Sequence, residues 1–351
     1  MADSPRLRVV AATPIDEALV ELVTAREPRI DFVRDGSLLP PQRFPGDHAG
    51  DPGFRRSPAE QRAFDELVDS AEALYGVPDE RPASLTRVAE ANPRLRWVHT
   101  MAAGGGAQVK AAALTGDQLD RIAFTTSAGV HAEPLAEYAL FGLLAGAKAL
   151  PHLQGLQSRH EWGARFTMSL LSEQRILIIG LGSIGRATAK KLKALGAHVI
   201  GTSRHPDAVE HVDEVIHPDD MVVTASAVDG VVVTLPGTSA TEKLVDASFF
   251  EALRPGAAFV SVGRGTVIDE PALIAALEAG RVGFAALDVF ASEPLDPSSP
   301  LWNDPHVLIS PHTAALNAAE DRLIAELFAR NATRLLDGDE LLNRVDTVEF
   351  Y

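Results

Sequence analysis

Arg175-Ile176-Leu177-Ile178-Ile179-Gly180-Leu181-Gly182-Ser183-Ile184-Gly185 reads as a buried strand that turns through three glycines into a helix, the segment 186–195. Each glycine has a task at this spacing. Gly180 permits the tight turn, Gly182 lets the backbone approach a phosphate, and Gly185 lets helix and strand pack closely. The backbone N–H groups along Leu181, Ser183 and Ile184 and the positive end of the helix dipole then face an anion. A dinucleotide pyrophosphate is the ligand this layout holds. The glycine pattern alone is common in proteins; its setting between strand and helix gives it meaning.

Downstream, strand-like runs at 176–179, 198–202, 230–235, 257–262, 283–288 and 307–310 alternate with helix-like segments such as 247–253 and 271–278. Near-continuously apolar strands alternating with helices predict a doubly wound parallel sheet, and so an α/β fold. Upstream, 7–12, 30–33, 73–75, 97–101 and 122–125 read as further strands and 15–26 as a helix. The segment 35–57 is rich in Pro, Gly, Asp and Arg; a loop of that length is expected to be either a functional lid or a disordered insert. Residues 132–150 predict a helix apolar nearly all round, which must be buried on more than one side, in the core or in a subunit interface. An amphipathic helix is expected over 318–336, and the tail 341–351 returns to strand-like residues.

A chain of 351 residues predicts two domains with sizeable cores. The net charge of −16 argues against nucleic acid or an anionic membrane as the main partner. The absence of cysteine excludes disulfides, thiol nucleophiles and thiolate metal sites. Met1-Ala2-Asp3-Ser4-Pro5 shows no apolar signal core, so a cytoplasmic protein is expected. His205, His211 and His217 recur at a spacing that fits neither a helix-face pair nor a zinc motif, and no metal site is expected.

At the end of the second strand of a dinucleotide fold, a carboxylate normally receives the ribose hydroxyls. Here that position reads Thr202-Ser203-Arg204-His205, with no acid. Ser203 and Arg204 are suited instead to a 2′-phosphate, so NADP(H) is the expected cofactor, with NAD(H) possible if Arg204 only stacks on adenine. Three later segments follow strands directly, where doubly wound folds hold ligands. They are Val262-Gly263-Arg264-Gly265, then Asp288-Val289-Phe290-Ala291-Ser292-Glu293-Pro294-Leu295, then Ser310-Pro311-His312-Thr313-Ala314. Singly, each has an ordinary structural explanation: a helix-capping arginine, a solvated glutamate, a satisfied buried imidazole. Together they suit one reaction. Arg264 binds the carboxylate and carbonyl of a 2-oxo acid, His312 donates the proton when hydride arrives at C2, and Glu293 fixes the imidazole tautomer and favours its charged form.

With these residues in place, the chain resembles the D-isomer-specific 2-hydroxyacid dehydrogenases, and among them the glyoxylate/hydroxypyruvate-reducing, NADP-preferring members. The matching stretches are Gly180–Gly185, Thr234-Leu235-Pro236, the three segments above, and the closing Asn343-Arg344-Val345-Asp346. The resemblance implies two Rossmann-like domains: a discontinuous, flavodoxin-like substrate domain (1–127 with 316–351) and an NAD(P)-binding Rossmann domain (128–315). It implies that Arg264, Glu293 and His312 are catalytic. It implies that Thr234, Leu235, Pro236, Val262, Gly263 and Ala314 lie beside the cofactor, with Asp288 against the nicotinamide carboxamide. It also implies a homodimer through helix 132–150 and a cleft that closes about hinges near 127–130 and 313–316. One element departs: where the family has Gly-Val-Asp after the strand at 97–101, this chain has Met101-Ala102-Ala103-Gly104-Gly105-Gly106. Ala103, Gly104 and Gly105 still offer backbone N–H groups to a substrate carboxylate. Phosphite or 3-phosphoglycerate oxidation are alternative activities, and a non-enzymatic NAD(H)-sensing, corepressor-like protein is the alternative of another class.

Overall fold

A computed structural model describes residues 6–205 and 207–350. The chain divides into two compact units, Met1–His131 with Leu316–Tyr351, and Ala132–Ala315. In the first, the chain order is β1 (Leu7–Ala11), α1 (Glu17–Arg26), β2 (Ile30–Val33), α2 (Pro58–Asp69), β3 (Ala73–Tyr75), α3 (Pro82–Ala91), β4 (Trp97–Thr100), α4 (Gly106–Ala111), α5 (Gly116–Arg121) and β5 (Ala123–Thr126). The second runs α6 (Ala132–Ala147), α7 (Leu150–Ser158), β6 (Arg175–Ile179), α8 (Ser183–Ala194), β7 (His198–Thr202), β8 (Glu214–Ile216), α9 (Met221–Ala225), β9 (Gly230–Val233), α10 (Ala247–Ala252), β10 (Ala257–Ser261), α11 (Glu270–Glu278), β11 (Val282–Leu287) and β12 (Val307–Ile309). Helix α12 (Glu320–Asp337) then returns to the first unit.

The first sheet has the order β2-β1-β3-β4-β5 with every pair parallel. This is the flavodoxin-like order. Its core is closed by the returning helix. Phe328 of α12 stacks on Trp97 with ring centroids 4.4 Å apart and meets Tyr75 edge-on at 5.1 Å. Among the described residues, the tail expected as a strand forms none. It makes an isolated bridge, Thr125 to Arg344; Asn331 pairs with the backbone of Leu342 in the tail, and Asn343 reaches from the tail to backbone just beyond β5. Asn331 donates to the Leu342 carbonyl at 3.0 Å and accepts from its N–H at 2.8 Å, and Asn343 donates to the Ala128 carbonyl at 2.6 Å.

The long segment 35–57, expected to be a functional lid or a disordered insert, is fastened to its own unit. Arg56 is buried over the Phe64 ring of α2, with its guanidinium carbon 3.7 Å from the centroid, and pairs with Asp79 at 2.7 Å. Gly46 donates its N–H to Asp321 at 3.2 Å, and a Cβ at Gly46 would press on the Glu320 carboxyl at 2.8 Å. Glu320, in the first turn of α12, is itself buried. It accepts from His131 Nε2 at 3.0 Å, with His48 Nε2 3.6 Å away. Burial pushes the Glu320 carboxyl up, but the imidazoles of His131 and His48 outweigh it and hold the pKa at about 2.

The second sheet has the order β12-β11-β10-β9-β6-β7-β8, again all parallel. The order reverses between β6 and β9, which is the switch point where open α/β sheets bind ligands. β6 carries four consecutive fully buried apolar residues, Ile176–Ile179. The short edge strand β8 had no separate signal in the sequence. The helix expected over 132–150 is two helices, broken at Ala149, which adopts a left-handed conformation (φ 51°) ahead of Pro151. Its apolarity belongs to the core of its own unit. α6 lies so close to the sheet that a Cβ at Gly142 would sit 2.8 Å from both Ala286 and Val260. Glu133, Glu137 and Phe141 are left on its exposed side.

Candidate active site

The turn after β6 assigns the three glycines different burdens. Gly180 has φ 106°, a conformation few other residues tolerate. A Cβ at Gly185 would lie 2.0 Å from the Gly180 carbonyl oxygen, so only glycine lets α8 start against the turn. A Cβ at Gly182 would meet no atom within 4 Å. The space above Gly182 is therefore free for a phosphate, and the N–H groups opening α8 at Ser183, Ile184 and Gly185 have no partners within the helix. Two threonines hold the turn. Gly180 donates its N–H to Thr202 Oγ1 at 3.0 Å, and Thr234 donates its hydroxyl to the Gly180 carbonyl at 2.7 Å. Leu181 is buried against Gly201, where a Cβ would come within 2.6 Å of it. The residues present thus fit a dinucleotide.

Ser203 and Arg204 follow β7 directly. Ser203 Oγ accepts the His205 N–H at 3.1 Å, and Arg204 is exposed with no ion pair among the described residues. After β9, Thr234, Leu235 and Pro236 line the same end of the sheet. Leu235 lies beneath the next loop: a Cβ at Gly263 would come 2.4 Å from its carbonyl oxygen.

Arg264 sits between two glycines that cannot be replaced. Gly263 is pressed on Leu235, and a Cβ at Gly265 would fall 1.9 Å from the Phe290 backbone carbon. This double pinning fixes the backbone of an exposed arginine whose Nη1 donates to the Gly263 carbonyl at 2.8 Å. The remaining guanidinium donors are left for a ligand. Val262, buried, continues β10 into this loop.

The loop after β12 is organised by Asp288. One oxygen of this buried carboxylate accepts the Ser310 hydroxyl at 2.7 Å and the N–H groups of Thr313 and Ala314 at 2.9 and 3.0 Å. Its backbone carbonyl accepts the His312 N–H at 3.0 Å. Expected against a nicotinamide, Asp288 has this as its observed work. The loop so held places His312 in the left-handed region (φ 52°). His312 Nδ1 lies 2.8 Å from Glu293 Oε2, while Glu293 Oε1 accepts the Phe290 N–H at 3.1 Å. Burial pushes the Glu293 carboxyl up. The hydrogen bonds from His312 and Phe290, with the charges of His312 and Arg264, pull it below the usual carboxylate range. An ionised Glu293 accepts the hydrogen bond of a protonated Nδ1, which leaves Nε2 as the end of the ring open to exchange a proton with a ligand. Arg264, Glu293 and His312 are thus brought together at the carboxyl end of one sheet.

Ala103, Gly104 and Gly105 belong to the first unit, in the turn after β4. Gly105 is buried, and a Cβ there would fall 1.7 Å from Thr100 Oγ1. Ala103 and Gly104 are exposed, and among the described residues their N–H groups have no acceptor. Such a pair of free donors suits a carboxylate. Among the described residues no cluster of His, Cys, Asp or Glu has a metal-holding arrangement, and no helix is long and apolar enough to cross a membrane.

The family model described as "D-isomer specific 2-hydroxyacid dehydrogenase, NAD binding domain" matches residues 140–314. An uncharacterized protein of Streptomyces coelicolor is 35% identical over 239 residues, 66% of this chain and 81% of that one. Glyoxylate/hydroxypyruvate reductase A of Serratia proteamaculans is 33% identical over 204 residues, 57% of this chain and 65% of that one. Among solved structures, a D-isomer specific 2-hydroxyacid dehydrogenase from Xanthobacter autotrophicus Py2, in complex with NADPH and MES, superposes with a TM-score of 0.75 at 29% identity, covering 99% of this chain and 100% of that one.

Proposed function

As the chain belongs to the D-isomer-specific 2-hydroxyacid dehydrogenases, and so to a family of NAD(P)-dependent oxidoreductases, we propose that it reduces a small 2-oxo acid to the D-2-hydroxy acid with NADPH. The observation that carries this reading is the His312–Glu293 pair, 2.8 Å apart and beside Arg264, at the ligand-binding end of a nucleotide-binding sheet. When bound, NADPH supplies the hydride for C2. Arg264 holds the carboxylate and polarises the carbonyl through paired guanidinium donors. The free N–H groups of Ala103 and Gly104 hold the carboxylate from the turn after β4; Gly105, expected to join them, is buried and donates its N–H to the Ala102 carbonyl at 3.3 Å. His312 gives the Nε2 proton to the oxygen as it becomes an alkoxide, and Glu293 stabilises the ring that must carry it. In the reverse direction the same nitrogen takes the proton from the hydroxyl.

The preference for NADPH over NADH rests on Ser203 and Arg204, where no carboxylate stands to repel a 2′-phosphate. In this proposal residues 1–127 with 316–351 bind substrate and 128–315 bind cofactor, and the enzyme works in the cytoplasm as a homodimer. The dimer contact was expected along helix 132–150. Phe141 on α6 and the exposed Leu153, Trp162, Phe166, Met168 and Leu170 beyond it favour an interface that extends past that helix.

The test is loss of nicotinamide absorbance, with NADPH and NADH run separately, on glyoxylate, hydroxypyruvate, pyruvate, 2-oxobutyrate and phenylpyruvate. Oxidation of NADPH by one or more acids, faster than of NADH, is expected. Arg204→Ala narrows that difference by about tenfold or more, the value of one charge-assisted contact. Tight NADPH binding with no turnover on any acid would overturn the reading in favour of phosphite or 3-phosphoglycerate oxidation or a sensor.

A further inference from the structure

Beneath the turn that follows β4 lies a buried polar chain that the reaction above does not use. Trp97, His99, Thr100, Thr125 and Ser127 are all fully buried. Trp97 Nε1 donates to Thr125 Oγ1 at 2.9 Å. Thr125 Oγ1 lies 2.8 Å from His99 Nδ1, and His99 Nε2 lies 3.2 Å from Ser127 Oγ. Ser127 donates its hydroxyl to the Thr100 carbonyl at 3.2 Å.

Proton counting gives this chain one direction. Ser127 has a single hydroxyl proton and spends it on the Thr100 carbonyl, so its oxygen must accept from His99 Nε2–H. His99 Nδ1 is then the acceptor of the neutral ring, filled by the Thr125 hydroxyl, whose oxygen accepts from Trp97. Every donor and acceptor is matched only if His99 is neutral with its proton on Nε2. Burial, with the nearby His48 charge adding to it, pushes the His99 pKa down to about 3, in keeping with that state.

The chain ends where the carboxylate-binding turn begins. Thr100 is the last residue of β4, its hydroxyl is 3.4 Å from the Ala102 carbonyl, and its side chain fills the space a Cβ at Gly105 would need. Ser127 also reaches the Ala102 carbonyl through its own N–H, at 3.4 Å. Thr100 and Ser127 therefore brace the turn from the ends of two strands. We propose that neutral His99 is a positioning residue which, through Ser127 and Thr100, sets the Ala103 and Gly104 N–H groups for the substrate carboxylate. The proposal rests on the role given to that turn under Proposed function.

The test compares His99→Phe, Ser127→Ala and the conservative His99→Gln with the parent chain. Two quantities are read: backbone hydrogen exchange of residues 101–106, and the kinetics of 2-oxo acid reduction with NADPH. His99→Phe and Ser127→Ala are expected to speed exchange in the turn and raise KM by about tenfold each, the equivalent of one buried hydrogen bond. Their kcat and NADPH affinity stay near the parent values, and His99→Gln, which keeps a donor and an acceptor, recovers most of the KM. Ser127→Ala keeps the inference open to refutation if His99→Phe fails to fold. A lower melting temperature with unchanged KM and unchanged exchange would overturn it. If the parent reduces no 2-oxo acid, the functional reading fails. The inference is then decided by oxalate: slowed exchange of the turn in the parent but not in Ser127→Ala supports it, and equal exchange in both overturns it.

Discussion

Replacing Glu320 by Gln removes one charge from the buried meeting point of His131, His48 and the 35–57 segment while keeping the shape of the side chain. The Glu320 carboxyl titrates at about 2 in the folded chain against 4.5 for an unperturbed glutamate. A depressed carboxylate stabilises the folded state above its unfolded pKa, and that contribution is lost as pH falls through the folded one. The shift corresponds to about 3 kcal/mol at pH 7, falling to about 2 kcal/mol at pH 3.5 and vanishing below pH ~2. Glu80, whose buried carboxyl is pushed up, works in the opposite direction in the same pH range but is common to both proteins and cancels in their difference. Urea unfolding followed by tryptophan emission provides the assay. Of the three tryptophans only Trp97 is fully buried, Trp302 being half exposed and Trp162 fully exposed, so the largest change in environment is in the first unit. A loss under about 1 kcal/mol at pH 7, or one that does not shrink at pH 3.5, would refute the reasoning.

His312→Gln should lower kcat by about 10²–10⁴-fold, the usual worth of a general acid, while a fluorescence titration finds NADPH affinity unchanged; near-normal turnover would remove His312 from the mechanism. Glu293→Gln should displace the limb of the kcat pH profile nearest neutrality, since the carboxyl held low by His312 and Arg264 no longer balances the ring, and superimposable profiles would count against the pair. The glycine turn separates two effects. Gly182→Ala should melt like the parent yet bind NADPH weakly, because its new methyl enters free space, whereas Gly185→Ala should lower the melting temperature, its methyl meeting the Gly180 carbonyl. Equal behaviour of the two variants in both measurements would mean the turn does not hold phosphate.

The parts of this protein that were legible in its sequence are those fixed by local chemistry. Gly180, Gly182 and Gly185 have distinct backbone duties that only their spacing needs to announce. Arg264, Glu293 and His312 follow strands directly, so a parallel sheet gathers them at one end wherever the helices pack. The rest depends on partners far along the chain. Asp47 and Arg56 look like solvated loop charges, yet Asp47 turns inward on Arg43, and Arg56 is buried against Phe64 and Asp79. His99 reads as a lone imidazole on an apolar strand, because Thr125 and Ser127, which give it direction, come from the next strand and the residue just past its end. The helix of 132–150 had a signal for its break in Pro151, a residue favoured in the first turn of a new helix, which is where it stands in α7. The apolarity of α6 says that it is buried but not against what; the sheet of its own unit supplies the answer.

The return of α12 to the first unit also orders events during synthesis. The ring that stacks on Trp97 belongs to Phe328, so β4 leaves the ribosome without the residue that covers it. The five strands of the first sheet can pair early, but one face of Trp97 stays bare until the entire second unit has been made. A nascent chain therefore carries an exposed aromatic patch for most of its translation, and that patch is an opening for aggregation or for a chaperone. The second unit, continuous in sequence from Ala132 to Ala315, has no such wait and can complete its core first.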